Sequence, residues 1–205
     1  KVGISVDRLK TRQTAKGSYL CATVTERGRA TRTVLKKMLP EIILSIPFPK
    51  TMRWADLDLH FARPILYVTA LLGRRTVPFR LETIQSGPFT RGHSFMNPGR
   101  IKLGHPDEYI SALRDANVIA DIAERRQAVA EAIARAAESK HGRVLRDDAL
   151  LDIVTNLVER PFATAGKFDD AFLTLPREIL ITAMREHQKY FAVVDSEGRL
   201  KPFFV

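Results

Sequence analysis

Between residues 31 and 45, Val34, Leu35, Met38, Leu39, Ile42 and Ile43 recur at three- and four-residue spacing. That period predicts an amphipathic helix. Pro40 lies inside the pattern and predicts a kink or a break into two helices. Upstream, residues 19–25 alternate weakly and read as a strand, one arm of a hairpin turning at Lys16-Gly17. Pro47 and Pro49 then impose an extended connector. The organisation expected is an N-terminal strand-and-helix segment over residues 1–50 and a second domain over residues 51–205.

The second domain is more varied. Residues 65–72 and 77–81 flank Gly73-Arg74-Arg75-Thr76, which predicts a β-hairpin with its first strand buried on both faces. Pro78 pushes the second strand toward an edge. Residues 84–98, rich in Gly, Ser, Pro, Thr and Asn, read as a long irregular loop of the kind that carries function. Pro106 opens a helix with Asp107 and Glu108 in its first turn; Tyr109, Ile110 and Leu113 are its apolar face, and Asn117 ends it. Asp121 caps the next helix, with Glu124 three residues on as in a capping box. Ile122, Val129, Ile133 and Ala137 form its expected buried stripe, and Gly142 stops it. Residues 147–158 read as a helix and 161–168 as a strand. Pro176 opens a last helix with Ile179, Leu180, Ala183 and Met184 facing inward. Two strands, 190–194 and 200–205, follow around a Ser196-Glu197-Gly198 turn. The sum is a mixed α+β fold, a largely antiparallel sheet with helices packed on one side.

Composition narrows the class. Hydrophobic residues make up 45% and charged residues 27%, ordinary for a globular protein. The longest apolar run, residues 65–72, is far below the ~20 residues of a membrane span, so no membrane partner is expected, and the lone cysteine makes a reducing cytoplasm the expected location. Lys1 opens a polar segment with no signal-peptide core. The start without Met and the apolar end Phe203-Phe204-Val205 suggest a piece of a longer protein. The single cysteine, Cys21, excludes an internal disulfide and a Cys-rich zinc site, and reads as a small buried hydrophobe rather than a nucleophile.

Charge changes the picture most. The net +10 is concentrated in residues 1–53, where 12 Lys and Arg face Asp7, Glu26 and Glu41. A basic segment before a near-neutral body favours an anionic partner, RNA above all. Arg27, Arg29, Arg32, Lys36, Lys37 and Arg53 are the candidates on that side.

Enzyme signatures are sparse. There is no phosphate-binding glycine loop and no nucleophile elbow, and the five histidines never fall at helical metal-site spacing. Asp56, Asp58 and His60 alternate and would share one face of a strand, but a polar loop is the simpler reading, and no metal is expected. Arg91 and His93 alternate likewise; they bind a phosphate or carboxylate, or they pin a loop through backbone hydrogen bonds, and both readings stand. The run Arg185-Glu186-His187-Gln188-Lys189-Tyr190-Phe191 ends a helix and enters a strand. Arg185, His187 and Lys189 can meet phosphates and the aromatics can stack on a base. A solvated helix end with one aromatic in the core is the favoured reading, because alternation buries one of the two.

Four segments in order carry a family resemblance: Phe48-Pro49-Lys50-Thr51-Met52-Arg53-Trp54, Phe61-Ala62-Arg63-Pro64-Ile65, Thr90-Arg91-Gly92-His93-Ser94-Phe95, and residues 175–191 from Leu175 through Phe191. Together they resemble the beta subunit of bacterial heteromeric glycyl-tRNA synthetase. The resemblance implies a region similar to the B3/B4 module of phenylalanyl-tRNA synthetase beta chains. It implies a part in ATP-dependent attachment of glycine to tRNA(Gly), within a heterotetramer whose alpha subunit carries the aminoacylation site, ATP and Mg. No cofactor and no catalytic residue is expected here. The expected role is tRNA binding and contact with the alpha subunit. The alternatives are an editing hydrolase acting on mischarged tRNA from a pocket in the long loop, and a purely structural module.

Overall fold

The computed structural model describes residues 5, 9–22, 24 and 27–205 and divides into two units, Lys1–Ile46 and Pro47–Val205. In the first, β1 (Lys10–Thr14) pairs antiparallel with β2 (Gly17–Cys21) in the register Thr14↔Gly17. Ala15 and Lys16 make the two-residue turn, and Gly17 follows at φ +124°, where a glycine is needed. The strand read over residues 19–25 therefore starts earlier and ends at Cys21; Thr23 and Thr25 lie outside the described residues. Every residue of this ribbon is exposed, Cys21 included, so the expectation of a buried cysteine is overturned: a two-stranded ribbon with no covered face has no interior to put it in.

Helix α1 spans Thr31–Ser45 as expected, but runs through Pro40 without breaking in two. Pro40 forfeits one bond, to the carbonyl of Lys36, on a solvent-exposed turn where water can replace it. Val34, Leu35, Leu39 and Ile43 are half-buried, while Met38 and Ile42 of the same apolar stripe stay exposed.

In the second unit, β3 (Met52–Arg53) pairs with β4 (His60–Phe61), and the Phe48 ring meets Phe61 edge-on at 4.6 Å. β5 (Val68–Thr69) is followed by the hairpin β6 (Leu71–Leu72) and β7 (Arg75–Thr76), turned by Gly73-Arg74 with Gly73 at φ +56°. The hairpin is as expected; burial of its first strand on both faces is not. Leu66 is 81% exposed and Tyr67 and Leu72 are also open, while Val77, Phe79 and Leu81 alternate inward. Val77 donates to Ala70 across the ladder, and Pro78 sits at the break before β8 (Arg80–Leu81).

The segment read as a long irregular loop is largely strand. β9 (Ile84–Gly87) pairs antiparallel with β8 and parallel with β5. β10 (Phe89–Arg91) pairs antiparallel with β11 (Arg100–Lys102), leaving only residues 92–99 as loop. The composition misled because the inward positions are Ser86 and Thr90. The buried Ser86 hydroxyl accepts from Phe79 N at 2.8 Å and donates to Val77 O at 2.8 Å. A small polar residue whose bonds are satisfied is as good a core residue as Val.

His105 caps a 3-10 turn, Pro106–Glu108, that leads into α2 (Tyr109–Asp115), and Asn117 closes it at φ 64°. The Asp121 side chain accepts from Glu124 N at 2.8 Å to start α3 (Ile122–Glu138). Val129 and Ala137 are buried as expected, but Ile122, in the first turn, is 60% exposed. The left-handed residue after this helix is His141, at φ 52°, rather than Gly142. β12 (Arg143–Val144) follows, then α4 (Asp148–Leu157), capped by Asp147. Of the strand expected over 161–168 only β13 (Gly166–Lys167) forms. After a 3-10 turn at Asp170–Thr174, α5 (Arg177–Thr182) widens into a π-helix at Ala183–Gln188. Ile179 and Ala183 are exposed, and Leu180, Ile181, Met184 and Arg185 lie nearer the interior, so the covered face keeps the helical spacing but sits one residue later than expected. β14 (Ala192–Val194) and β15 (Leu200–Phe204) complete an antiparallel sheet in the order β12-β14-β15-β13. Val129 of α3, Leu150 and Leu151 of α4, and Phe191 form the core over it. The fold class is α+β and mostly antiparallel, as expected, and among the described residues the strands are shared among six small sheets.

Candidate nucleic-acid interface

The basic candidates fall into groups with different partners. Arg27 and Arg29 are exposed in the extended segment before α1. Arg32, Lys36 and Lys37 are exposed on α1, with Arg32 and Lys36 one helical turn apart on one face. Arg53 is exposed but bonds Asp58 at 3.2 Å, and Asp58 N–H in turn donates to Glu82. His60 Nδ1 bonds the Asp58 carbonyl at 3.1 Å, which makes the Asp56-Asp58-His60 segment a polar turn.

The residues that marked the chain's far end are already engaged. Arg185 Nε donates to Asp147 at 2.5 Å and its Nη1 bonds Glu186. Lys189 donates to the Glu186 carbonyl at 3.0 Å and takes φ 58°, closing the π-helix. Burial is the largest influence on the Asp147 carboxyl and pushes it up, but the Leu150 N–H and the Arg185 guanidinium outweigh it and hold it below its ordinary value. Asp147 thus joins the start of α4 to the end of the π-helix. His187 is exposed at the rim of an apolar hollow of about 400 Å³ lined by Phe168, Phe172, Met184, Tyr190 and Phe204. Phe191 is buried and Tyr190 stacks on Phe204 at 4.6 Å, as alternation required.

Arg91 and His93 separate in role. His93 Nδ1 accepts from the N–H groups of both Phe95 and Met96 at 3.2 Å, and its backbone N–H donates to Ala116 O at 2.9 Å. It pins the 92–99 loop. Gly92 beside it has no room for a side chain: a Cβ there would lie 2.5 Å from Ala116 Cβ and 2.7 Å from Ala116 O. Arg91 is exposed at the end of β10, directly opposite Arg100 of β11. Lys102 faces Phe89 in the same register, so Phe89, Arg91, Arg100 and Lys102 share one face of the ribbon. Arg100 lies 4.3 Å above the Phe89 ring. Among the described residues no carboxylate comes within ion-pair distance of Arg91, Arg100 or Lys102. Like charges directly opposite across a ladder are unfavourable in isolation. Arg100 and Lys102 were missed in sequence because only the β10–β11 register brings them to Arg91.

The same unit holds a cavity of about 500 Å³ lined by Tyr67, Thr69, Leu71, Thr90, Leu103 and Tyr109, among others. Among the described residues no three His, Cys, Asp or Glu side chains converge as metal ligands, and no helix is long and apolar enough to cross a membrane.

Comparison with known proteins gives the setting. The family described as glycyl-tRNA synthetase beta subunit matches residues 1–205. A glycine–tRNA ligase beta subunit of Desulfatibacillum aliphaticivorans is 49% identical over 205 residues, all of this chain and 30% of that protein. Its counterpart in Desulforapulum autotrophicum is 48% identical over 205 residues, again 30% of its length. That of Myxococcus xanthus is 44% identical over 202 residues, 98% of this chain and 29% of that protein. The chain thus spans about 30% of the relatives it matches. A match to the family over residues 1–205, with relatives at close to half identity, means that this chain belongs to the glycyl-tRNA synthetase beta subunit family of aminoacyl-tRNA synthetase subunits.

Proposed function

We propose that this segment binds tRNA for a glycine–tRNA ligase, serving glycyl-tRNA formation in the cytoplasm alongside an alpha subunit that carries the aminoacylation chemistry, ATP and Mg. The observation behind this reading is the β10–β11 ribbon, where Arg91, Arg100 and Lys102 share a face with Phe89 and have no acidic partner among the described residues. Guanidinium and ammonium groups spaced along a ribbon suit successive phosphates. The exposed Arg27, Arg29, Arg32, Lys36 and Lys37 of the first unit supply a second basic surface of the same sign. Arg53, Arg185 and Lys189 support it less, because each is taken up by a neighbouring carboxylate or carbonyl.

The test is tRNA(Gly) binding measured against salt. Each phosphate neutralised contributes about 0.7–0.9 to the slope of log affinity on log salt. Replacing Arg91, Arg100 and Lys102 together by Ala should lower the slope's magnitude by about 2–3. A folded triple variant with unchanged affinity and slope refutes the reading.

A further inference from the structure

The cavity beside the basic ribbon carries chemistry that phosphate binding does not use. Thr90 is only 2% exposed, it lines the cavity, and its hydroxyl makes no hydrogen bond to a described residue. No fully enclosed side-chain oxygen among the described residues lacks a partner, so the Thr90 hydroxyl is reached from the cavity side. The hydroxyls of Tyr67, just before β5, and Tyr109, at the start of α2, likewise bond no described residue. Thr69 differs, since its hydroxyl donates to Phe89 O at 2.5 Å and keeps only acceptor capacity. Val68, Leu71, Leu103 and Pro106 supply apolar walls. A ligand that bonds a recessed hydroxyl while displacing its water must replace the bonds that water made, and so is selected for polar edges. Apolar walls with a few convergent polar groups are the usual make-up of a small-molecule site.

The lining also says what the ligand is. It contains no Lys, Arg, His, Asp or Glu. Burial, and then the neighbouring Tyr67, push the Tyr109 phenol up, so the Tyr109 ring remains a neutral donor at physiological pH. A phosphate, a carboxylate or a free amino acid would enter such a site with its charge unmatched. A neutral planar heterocycle with N–H and carbonyl groups on its edge matches hydroxyl donors and acceptors and packs on aromatic and aliphatic walls. Cavity residues Thr90 and Leu103 are the immediate chain neighbours of the cations Arg91 and Lys102. Alternation turns Thr90 and Leu103 to the ribbon face opposite those cations, so a strand tracked by the ribbon reaches the cavity by turning one base around the ribbon edge.

We propose that this cavity receives one unpaired nucleobase of the RNA held by the β10–β11 ribbon, bonded by the hydroxyls of Tyr67, Thr90 and Tyr109. The proposal rests on the RNA-binding reading above, and its test separates the two. The 205-residue chain is titrated with single-stranded RNA oligomers, intact or with abasic nucleotides throughout. Intact oligomer binds about tenfold more tightly, the scale of one stacked and bonded base. Thr90→Val with Tyr109→Phe, which leaves the walls in place, abolishes that preference and keeps the salt slope. In parallel, free nucleosides are titrated while the tyrosine ring signals are followed by NMR; the Tyr67 and Tyr109 signals shift in the native chain, and the Tyr67 signal stays in place in the double variant. Salt-dependent binding with no preference for bases and no ring shifts overturns the cavity assignment and leaves RNA binding standing. Ring shifts without salt-dependent oligomer binding overturn the RNA reading and uphold the cavity as a base site. Preference and ring shifts that survive the double variant place the base elsewhere and overturn the proposal.

Discussion

Substituting Gly92 by Ala tests whether the geometry of the basic ribbon depends on one close approach. The added methyl would sit 2.5 Å from Ala116 Cβ and 2.7 Å from Ala116 O, with Asn97 O at 3.0 Å. Two of these three contacts are backbone carbonyls, so no side chain can swing aside. Relief requires the β10–β11 loop to back away from the end of α2, which lengthens the 2.9 Å bond from His93 N to Ala116 O. Overpacking of this kind costs about 1–3 kcal/mol, and one lost hydrogen bond adds about 1. The expected loss is about 2–4 kcal/mol. For a chain of this size that lowers Tm by roughly 5–15 °C, at about 2–4 °C per kcal/mol. Gly99, at the other end of the same loop, is the internal control. A Cβ there meets nothing nearer than Asn97 Oδ1 at 3.7 Å, and its φ is not left-handed. Gly99→Ala should be neutral or stabilising by up to about 1 kcal/mol through the unfolded chain. Thermal unfolding followed by circular dichroism reads both. Equal Tm values for the two variants, or a Gly92→Ala loss below about 0.5 kcal/mol, would show that the loop does not depend on that contact.

Two further outcomes follow from the Asp147–Arg185 link. Asp147→Ala removes the α4 cap at Leu150 N, a loss of about 1 kcal/mol, together with the ion pair, whereas Asp147→Asn keeps the cap and loses only the charge. Because the folded carboxyl titrates below its ordinary value of 3.8, its contribution is present above that pH and lost as pH falls through the lower folded value. Native and Asn variant should therefore differ in urea midpoint at pH 7 and converge at strongly acidic pH; a constant gap contradicts the assignment. Arg185→Gln should lower Tm while leaving tRNA affinity and its salt slope unchanged, and a loss of slope would return Arg185 to the interface.

What could be read in sequence and what could not divide along one physical line. Signals carried by neighbours a few residues apart were legible: α1 over Thr31–Ser45, the Asp121 to Glu124 cap, and the turns at Gly73 and Asn117. Features that depend on distant partners were not. Ser86 reads as a loop residue until Val77 and Phe79 provide its bonds. Arg185 reads as a free cation until Asp147, 38 residues earlier, takes its guanidinium. Arg100 and Lys102 carry no local mark, and the cross-strand register alone sets them beside Arg91 and Phe89. Inward Ile179 and Ala183 were expected from spacing alone; the covered face falls on Leu180, Ile181, Met184 and Arg185, the same spacing one residue later, and only the packing partners decide between the two.

The four-stranded sheet has a consequence for how the chain is made. Its two inner strands, β14 and β15, come last in sequence, while the outer strands β12 and β13 come well before them. Phe191 and Val205 exchange both backbone hydrogen bonds, and the Phe191 ring closes the cluster of Val129, Leu150 and Leu151. On a ribosome α3 and α4 therefore emerge with their shared apolar face open. At about 5–20 residues per second they wait roughly 2–10 s after α4 is made before residue 205 is added. The β1–β2 hairpin and α1 rest on local contacts and are synthesised before then, whereas the four-stranded sheet cannot be completed until β15 is made.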